Sequence, residues 1–191
     1  MNILVVSSGL DPDSRSRKLA HLCHDILHRR DVEVRLADLA EFDVPNFDNN
    51  AIYRSDAYFK LHALTEQSTG LVLCSPVYNW GCSAELKKYI EYVGSTPPDG
   101  SRSGALFDKV VTFVTSGGLP HSYTAFRELA TALMLDFKCV VNPYHLYAHN
   151  RHWQGEALDA GVVERAEKTL RVMTELCALL EGRSYSSTWE I

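Results

Sequence analysis

Residues 7–18, Ser-Ser-Gly-Leu-Asp-Pro-Asp-Ser-Arg-Ser-Arg-Lys, gather the hydroxyls of Ser7, Ser8, Ser14 and Ser16 with the cations Arg15, Arg17 and Lys18, just ahead of an apolar stripe of helical spacing. Free backbone N–H groups and the dipole at a helix start favour an anion, so this stretch reads as a phosphate cradle. Plain capping by Ser14 or Ser16 is the alternative. Residues 75–81, Ser-Pro-Val-Tyr-Asn-Trp-Gly, set the rings of Tyr78 and Trp80 and the amide of Asn79 beside peptide groups that Gly81 leaves accessible. Such a wall suits a planar heterocycle that accepts and donates hydrogen bonds. In Ser116-Gly117-Gly118 two glycines let backbone approach a ligand closely. Singly, the last two stretches read equally as half-buried loop aromatics and as turn chemistry. Together the three describe a site for a mononucleotide with a flat ring. The first loop holds neither Gly-x-Gly-x-x-Gly nor Gly-Lys-Ser/Thr, so it is not a dinucleotide fingerprint or a P-loop.

Elements of alternating type must bring these stretches together. Ile3 to Val6 is an apolar first strand, followed by a helix striped with Leu19, Leu22, Cys23, Ile26 and Leu27. Val32 to Leu36 alternates as a strand nearer an edge, and a Pro- and Asn-punctuated loop leads to a helix over Ser55 to Gln67. Leu71 to Cys74 has the length and side chains of a central parallel strand, with Leu86, Ile90 and Val93 marking its helix. Gly94 to Asp108 contains Pro97, Pro98, Gly100 and Gly104 and reads as a long loop. Lys109 to Thr115 is a fourth strand and Cys139 to Val141 a fifth. Between them a helix from about Tyr123 to Asp136 is apolar on more than one face, which points to a subunit interface. Val162, Ala166, Leu170, Met173, Cys177 and Leu180 stripe a long closing helix. Strand followed by helix five times gives an α/β, doubly wound, five-stranded parallel sheet with helices on both faces, and the flavodoxin-like order 2-1-3-4-5 is the economical solution. Residues 1–182 form a single domain and 183–191 a C-terminal tail. In that order the loops after strands 1, 3 and 4, which carry the three stretches, meet at one crevice.

Composition narrows the partners. The 191 residues are 46% hydrophobic and 23% charged, enough for one sizeable core. A net charge of −5 without a Lys/Arg block argues against nucleic acid or an anionic membrane. The opening Met-Asn-Ile-Leu-Val-Val-Ser has no charged leader and too short an apolar run for a span, so a soluble, cytoplasmic protein is expected. Five scattered cysteines without a Cys-x-x-Cys fit reduced thiols, mostly buried; Cys82, at a helix start, is the one with a chance of reactivity. His21, His24 and His28 share a helix face, but no acid or thiol completes a metal site, and no metal is expected. His121, beside the glycine pair, is a candidate for touching substrate.

The chain resembles the NADPH-dependent FMN reductase family, flavodoxin-like NAD(P)H:flavin and quinone reductases, over about residues 1 to 180. The likeness rests on Ser14-Arg15-Ser16 with Leu19-Ala20, on Ser75-Pro76-Val77-Tyr78-Asn79 with Leu86-Lys87, and on Ser116-Gly117-Gly118. By position, it implies that Ser14 and Ser16 bind the FMN phosphate with Arg15 beside them and Ser8 as a further hydroxyl. Pro76, Val77, Tyr78 and Asn79 would run along the isoalloxazine, and Ser116, Gly117 and Gly118 would meet its pyrimidine side; Trp80, read from the loop's own aromatic chemistry, is a further cofactor-binding candidate. The family's early Arg is Asp11 here, its frequent Glu is Val77, and Trp80-Gly81-Cys82 stands for a Gly-Ser-x-Pro-like run. The resemblance further implies an oxidoreductase that passes a hydride from NADPH or NADH to the flavin N5 and then to a quinone, a free flavin or a similar small acceptor. It names no catalytic side chain, and it implies a homodimer or homotetramer. The alternatives are a flavodoxin-like electron carrier and a non-catalytic FMN-binding module.

Overall fold

The computed structural model describes residues 1–189. Its elements, in chain order, are β1 (Asn2–Ser7), α1 (Arg15–His28), β2 (Glu33–Asp38), α2 (Asp56–Glu66), β3 (Gly70–Tyr78), β4 (Gly81–Cys82), α3 (Ala84–Gly94), β5 (Val110–Gly117), α4 (Arg127–Phe137), β6 (Val140–Val141), β7 (Leu146–His149), β8 (Trp153–Gln154), β9 (Ala157–Leu158) and α5 (Ala160–Leu180). The sheet runs β2-β1-β3-β5-β6 with parallel pairing throughout, which is the order 2-1-3-4-5 once the short β4 is set aside. β1, β3 and β5 are buried along almost their whole length, as strands covered on both faces must be, whereas β2 alternates at the edge. One apolar layer joins the sheet to α2, α3 and α4 through Tyr58, Tyr89, Tyr92 and Phe113. The other joins it to α1 and α5 through Leu19, Cys23, Ile26, Leu27, Leu170 and Met173. Among the described residues no helix is long and apolar enough to cross a membrane.

Residues 75–78, read as loop, instead extend β3, which turns back as a hairpin into β4, and three further elements differ from the sequence reading. The fifth strand is broken: β6 spans only Val140–Val141, and parallel pairing with β5 resumes at β7. Pro143 has no N–H to give a ladder, and Asn142 turns inward, its Nδ2 donating to Thr112 Oγ1 at 3.0 Å and Thr169 O at 3.0 Å. The helix expected over Tyr123 to Asp136 divides into a 3₁₀ turn, Pro120–Thr124, and α4, which Lys138 ends in the left-handed conformation at φ 55°. Met134 and Leu135 on α4 stay uncovered. Finally, β8 and β9 form a small antiparallel hairpin that no periodicity announced.

The long loop 94–108 and the tail are tied to each other. Ala105 N donates to Val93 O at 2.7 Å and His62 Nε2 meets Ser103 O at 2.8 Å, while Ser187 donates from N and Oγ to the Asp108 carboxylate at 2.9 and 2.7 Å. Trp189 packs edge-on against Phe107 and Phe137. Residues 190 and 191 of the tail lie outside the described residues.

The buried thiols and phenols give a pH dependence whose sign is fixed. Burial pushes Cys82 and Cys177 up to about 11 and Cys139 and Tyr92 up to about 12, and raises Cys74 and Tyr89 as well. Each raised group holds its proton longer folded than unfolded. The stability involved is intact below the unfolded thiol range and is lost as pH climbs toward these folded values. Lys109, lowered to about 8 by burial, works the other way and regains stability between about 8 and its unfolded value. One lysine opposes several thiols and phenols, so urea midpoints should be flat to about pH 8.5 and fall steadily above pH 9.5. Midpoints that stay flat to pH 11 would contradict this balance.

Candidate functional site

The carboxyl ends of β1 and β3 part the sheet between them, because β1 sends the chain outward to β2 while β3 leads on toward β5. At this switch point lies a crevice of about 240 Å³ lined by Asp11, Asp13, Ser14, Arg15, Ser16, Pro76, Val77, Tyr78, Ser116, Gly117, Gly118 and Asn150. Larger hollows occur at the opposite edge and on helix flanks, but this is the one the three predicted loops share. Nine of the residues proposed from sequence therefore come together: Ser14, Arg15, Ser16, Pro76, Val77, Tyr78, Ser116, Gly117 and Gly118.

The other three are placed differently. Ser8 faces inward; its Oγ donates to Cys74 O at 3.0 Å and lies 2.8 Å from Ser83 Oγ, so it stitches the first loop to the second and does not line the crevice. Ser83 in turn caps α3 by accepting from Leu86 N at 3.2 Å, and its own N donates to Ser75 Oγ at 2.9 Å. Asn79 and Trp80 form the tip of a two-residue hairpin joining β3 to β4, with Val77 opposite Cys82 and Tyr78 opposite Gly81. Both tip residues have positive φ, 49° and 66°, the conformation of a type I′ turn. Asn tolerates it; for Trp it is strained by about 1 kcal/mol. A bulky ring held in strain and 64% exposed beside the crevice is poorly explained by folding alone. Trp80→Gly should accordingly raise the melting temperature by about 2–4 °C, and a fall on thermal denaturation would show that the indole is structural.

The first loop is built for close approach. Ser14 opens α1 without spending its side chain on a cap; its Oγ lies instead 2.8 Å from Ser16 Oγ. Gly9 backs this pair so tightly that a Cβ there would meet Ser14 Oγ at 2.3 Å and Ser16 Oγ at 2.8 Å. On the third loop, a Cβ on Gly117 would lie 2.7 Å from the Tyr147 hydroxyl, which donates to Leu119 O and braces the loop. Two more hydroxyls at these strand ends, Ser7 Oγ and Thr115 Oγ1, are buried without a partner among the described residues.

The cations behave unlike their local count. Arg17 leaves the cradle for the buried Asp38 carboxylate at 2.5 Å, and Lys18 pairs with Glu156 on the β8–β9 turn. Arg15 remains at the crevice, donating to Asn150 Oδ1. Asn150 and Asp13 are lining residues that sequence reasoning missed; Asn150 lies 135 residues from Arg15, and nothing local marks it. His121 is exposed on the 3₁₀ turn and does not line the crevice. Cys82 is half-buried with its thiol pushed up, which leaves almost no thiolate at neutral pH. Among the described residues no three His, Cys, Asp or Glu side chains gather as a metal site.

Comparison with known proteins bears on what the crevice is suited to hold. The model of the family described as NADPH-dependent FMN reductase matches residues 1–153. The chain belongs to this family. It is 29% identical over 174 residues to an FMN-dependent NADH:quinone oxidoreductase of Bordetella petrii, covering 76% of this chain and 82% of that one. It is 25% identical over 139 residues to an NAD(P)H-dependent FAD/FMN reductase of Geobacillus thermodenitrificans, covering 71% and 70%. In structure it resembles FerB, a flavoenzyme NAD(P)H:(acceptor) oxidoreductase from Paracoccus denitrificans, with a TM-score of 0.71 at 14% identity over 91% of this chain and 97% of that one. The last likeness concerns the fold alone. For an FMN reductase family member the donor set is chemically suitable: the paired Ser14 and Ser16 hydroxyls, unspent on a helix cap, and the backbone N–H groups at the start of α1 match a phosphomonoester, and a Gly-Gly loop opposite an exposed Tyr matches a flat ring.

Proposed function

We propose that the protein is an FMN-dependent NAD(P)H oxidoreductase acting on a quinone, a free flavin or a similar small acceptor. The observation that carries this reading is the meeting of the hydroxyl loop, the aromatic hairpin and the Gly-Gly loop at one crevice on the switch point of the sheet. Bound there, FMN would supply the two-electron chemistry that links NAD(P)H to the acceptor. Ser14, Ser16 and the free N–H groups of the first turn of α1 hold the phosphate, with Arg15 at its side. Pro76, Val77 and Tyr78 wall one side of the ring, with the Asn79–Trp80 tip above them, and Ser116, Gly117 and Gly118 offer backbone groups to its pyrimidine edge. The residues bind, orient and exclude water; none is assigned a proton transfer. Uncovered Tyr78, Trp80, Leu119 and Tyr123 near the crevice, and Met134 and Leu135 on α4, support a homodimer or homotetramer that covers them. The same reading makes the protein a cytoplasmic enzyme.

The test is a visible spectrum of purified protein after addition of FMN and desalting, then of anaerobic NADPH, followed by steady-state NADPH oxidation with menadione. Retained flavin absorbance that bleaches, with turnover, supports the reading. Binding and bleaching without turnover would favour an electron carrier or binding module, and the absence of binding at saturating FMN would sink it. Charge at the mouth should tune the affinity. Asp11 and Asp13 both line the crevice, and Asp11 Oδ1 accepts from Asp13 N at 2.9 Å. Asn keeps that turn acceptor but not the charge, so Asp11→Asn should tighten FMN binding about twofold to fivefold at low salt. The gain should fade in 0.5 M NaCl, where exposed charges are screened.

A further inference from the structure

The crevice has one lining residue, Asn150, that none of the three loops supplies, and the segment it opens runs on through Trp153 to Glu156 behind Arg15 and Lys18. We propose that Asn150 and Trp153 position the Arg15 guanidinium, making it the phosphate-recognising cation of the site; this rests on the FMN reading above. Of the three cations clustered at the start of α1, Arg17 is spent on Asp38 and Lys18 on Glu156. Arg15 is the cation that lines the crevice, against the carboxylates of Asp11 and Asp13. The lining is thus net negative, and a dianionic phosphate depends on where that one guanidinium points.

Two contacts fix its direction. Nη1 donates to Asn150 Oδ1, and Cζ lies 5.5 Å from the centroid of the Trp153 ring. A guanidinium has five N–H donors in a rigid plane, so one bond to an amide leaves the rest of the fork for a phosphate, while stacking on indole holds the plane. Asn150 also reaches the third loop: a Cβ on Gly118 would lie 3.8 Å from its Nδ2. It therefore stands between the helix start and the Gly-Gly turn. The β8–β9 hairpin that carries Trp153 is turned by Gly155 at φ 59° and docked on α1 by the Lys18–Glu156 pair. Holding a long side chain in its working rotamer before the ligand arrives removes an ordering cost from binding.

Titration of apo-protein with FMN and with riboflavin, which lacks the phosphate, tests the assignment. Asn150 is exposed, so Asn150→Ala should fold as the parent does. It should weaken FMN about tenfold and leave riboflavin unchanged; Arg15→Ala should weaken FMN by about tenfold to a hundredfold, again without touching riboflavin. Because Asn150 acts through Arg15, the double variant should match Arg15→Ala alone. Equal losses for both flavins, additive losses in the double variant, or unchanged FMN affinity in Asn150→Ala would each overturn the proposal while the FMN reading stands. A parent protein that binds neither flavin would overturn both.

Discussion

Gly9→Ala should cost a hundredfold or more in FMN affinity while leaving the protein folded. The added Cβ would lie 2.3 Å from Ser14 Oγ, 2.8 Å from Ser14 Cβ and 2.8 Å from Ser16 Oγ. Rotating the Ser14 hydroxyl relieves the first contact but not the second, because Cβ moves only with the backbone. The loop must back away, and the 2.8 Å Ser14–Ser16 pair proposed to hold the phosphate is pulled apart. Hydrogen bonds to a charged group contribute about 1.5–3 kcal/mol each, so losing two is worth roughly two to four powers of ten. Gly9 has no left-handed φ, which makes the effect steric and local; overpacking on this scale costs about 1–3 kcal/mol of stability. Fluorescence titration with FMN and riboflavin, beside a thermal melt, separates the two effects. A variant that binds FMN like the parent would mean that the hydroxyl pair is not the phosphate site.

What the sequence made legible follows from the range of each signal. Strand–helix alternation is local, and every parallel strand with a long apolar run, β1, β3 and β5, could be read from it. The sheet order follows from connection rules that need only the count of units. Three loops flagged by composition met at one crevice because each follows a strand whose place in the sheet was already determined. The Tyr78–Gly81 hairpin escaped notice since its left-handed pair is Asn79-Trp80, whereas the usual signal is Asn-Gly; Gly81 sits one residue too late. The break between β6 and β7 was marked by Asn142-Pro143, but resumption of the strand depends on Leu146 and Ala148 finding the core against β5.

The charges were misjudged for a different reason. Arg15, Arg17 and Lys18 are neighbours in sequence, and a local count credits all three to the phosphate. Their partners Asn150, Asp38 and Glu156 come from separate elements and are brought near only by the finished fold. Composition can place a cation at a helix start; it cannot say which carboxylate the fold will deliver to it. Asp38 is buried at the end of β2, so its pair with Arg17 is a structural tie between the first helix and the sheet, and on the FMN reading proposed above the phosphate would be left with Arg15 and the neutral donors of the first loop.

A second large effect should come from the far side of the molecule. Gly104→Ala should lower the melting temperature by about 6–12 °C and leave FMN affinity of the folded protein unchanged. A Cβ at Gly104 would lie 2.3 Å from Gly94 O and 3.0 Å from Gly94 C, both backbone atoms that no rotamer change can move. Retreat of the loop is blocked from the other direction, since Ala105 N donates to Val93 O at 2.7 Å and Leu106 is fully buried. Gly94 cannot shift toward its other neighbours either; its own missing Cβ would stand 2.5 Å from Phe137 Cζ. The crossing of α3's last turn and the 94–108 loop is thus a place where two backbones touch because neither residue has a side chain. Forcing one in should cost about 3 kcal/mol, the upper end for overpacking, and each kcal/mol moves the melt of a chain this size by about 2–4 °C. Gly182→Ala is the control: nothing lies within 4 Å of its Cβ and its φ is ordinary, so it should melt with the parent. If Gly104→Ala also melts with the parent, the close backbone contact is not part of the native packing, and the loop is held by its side-chain ties to α2 and the tail instead.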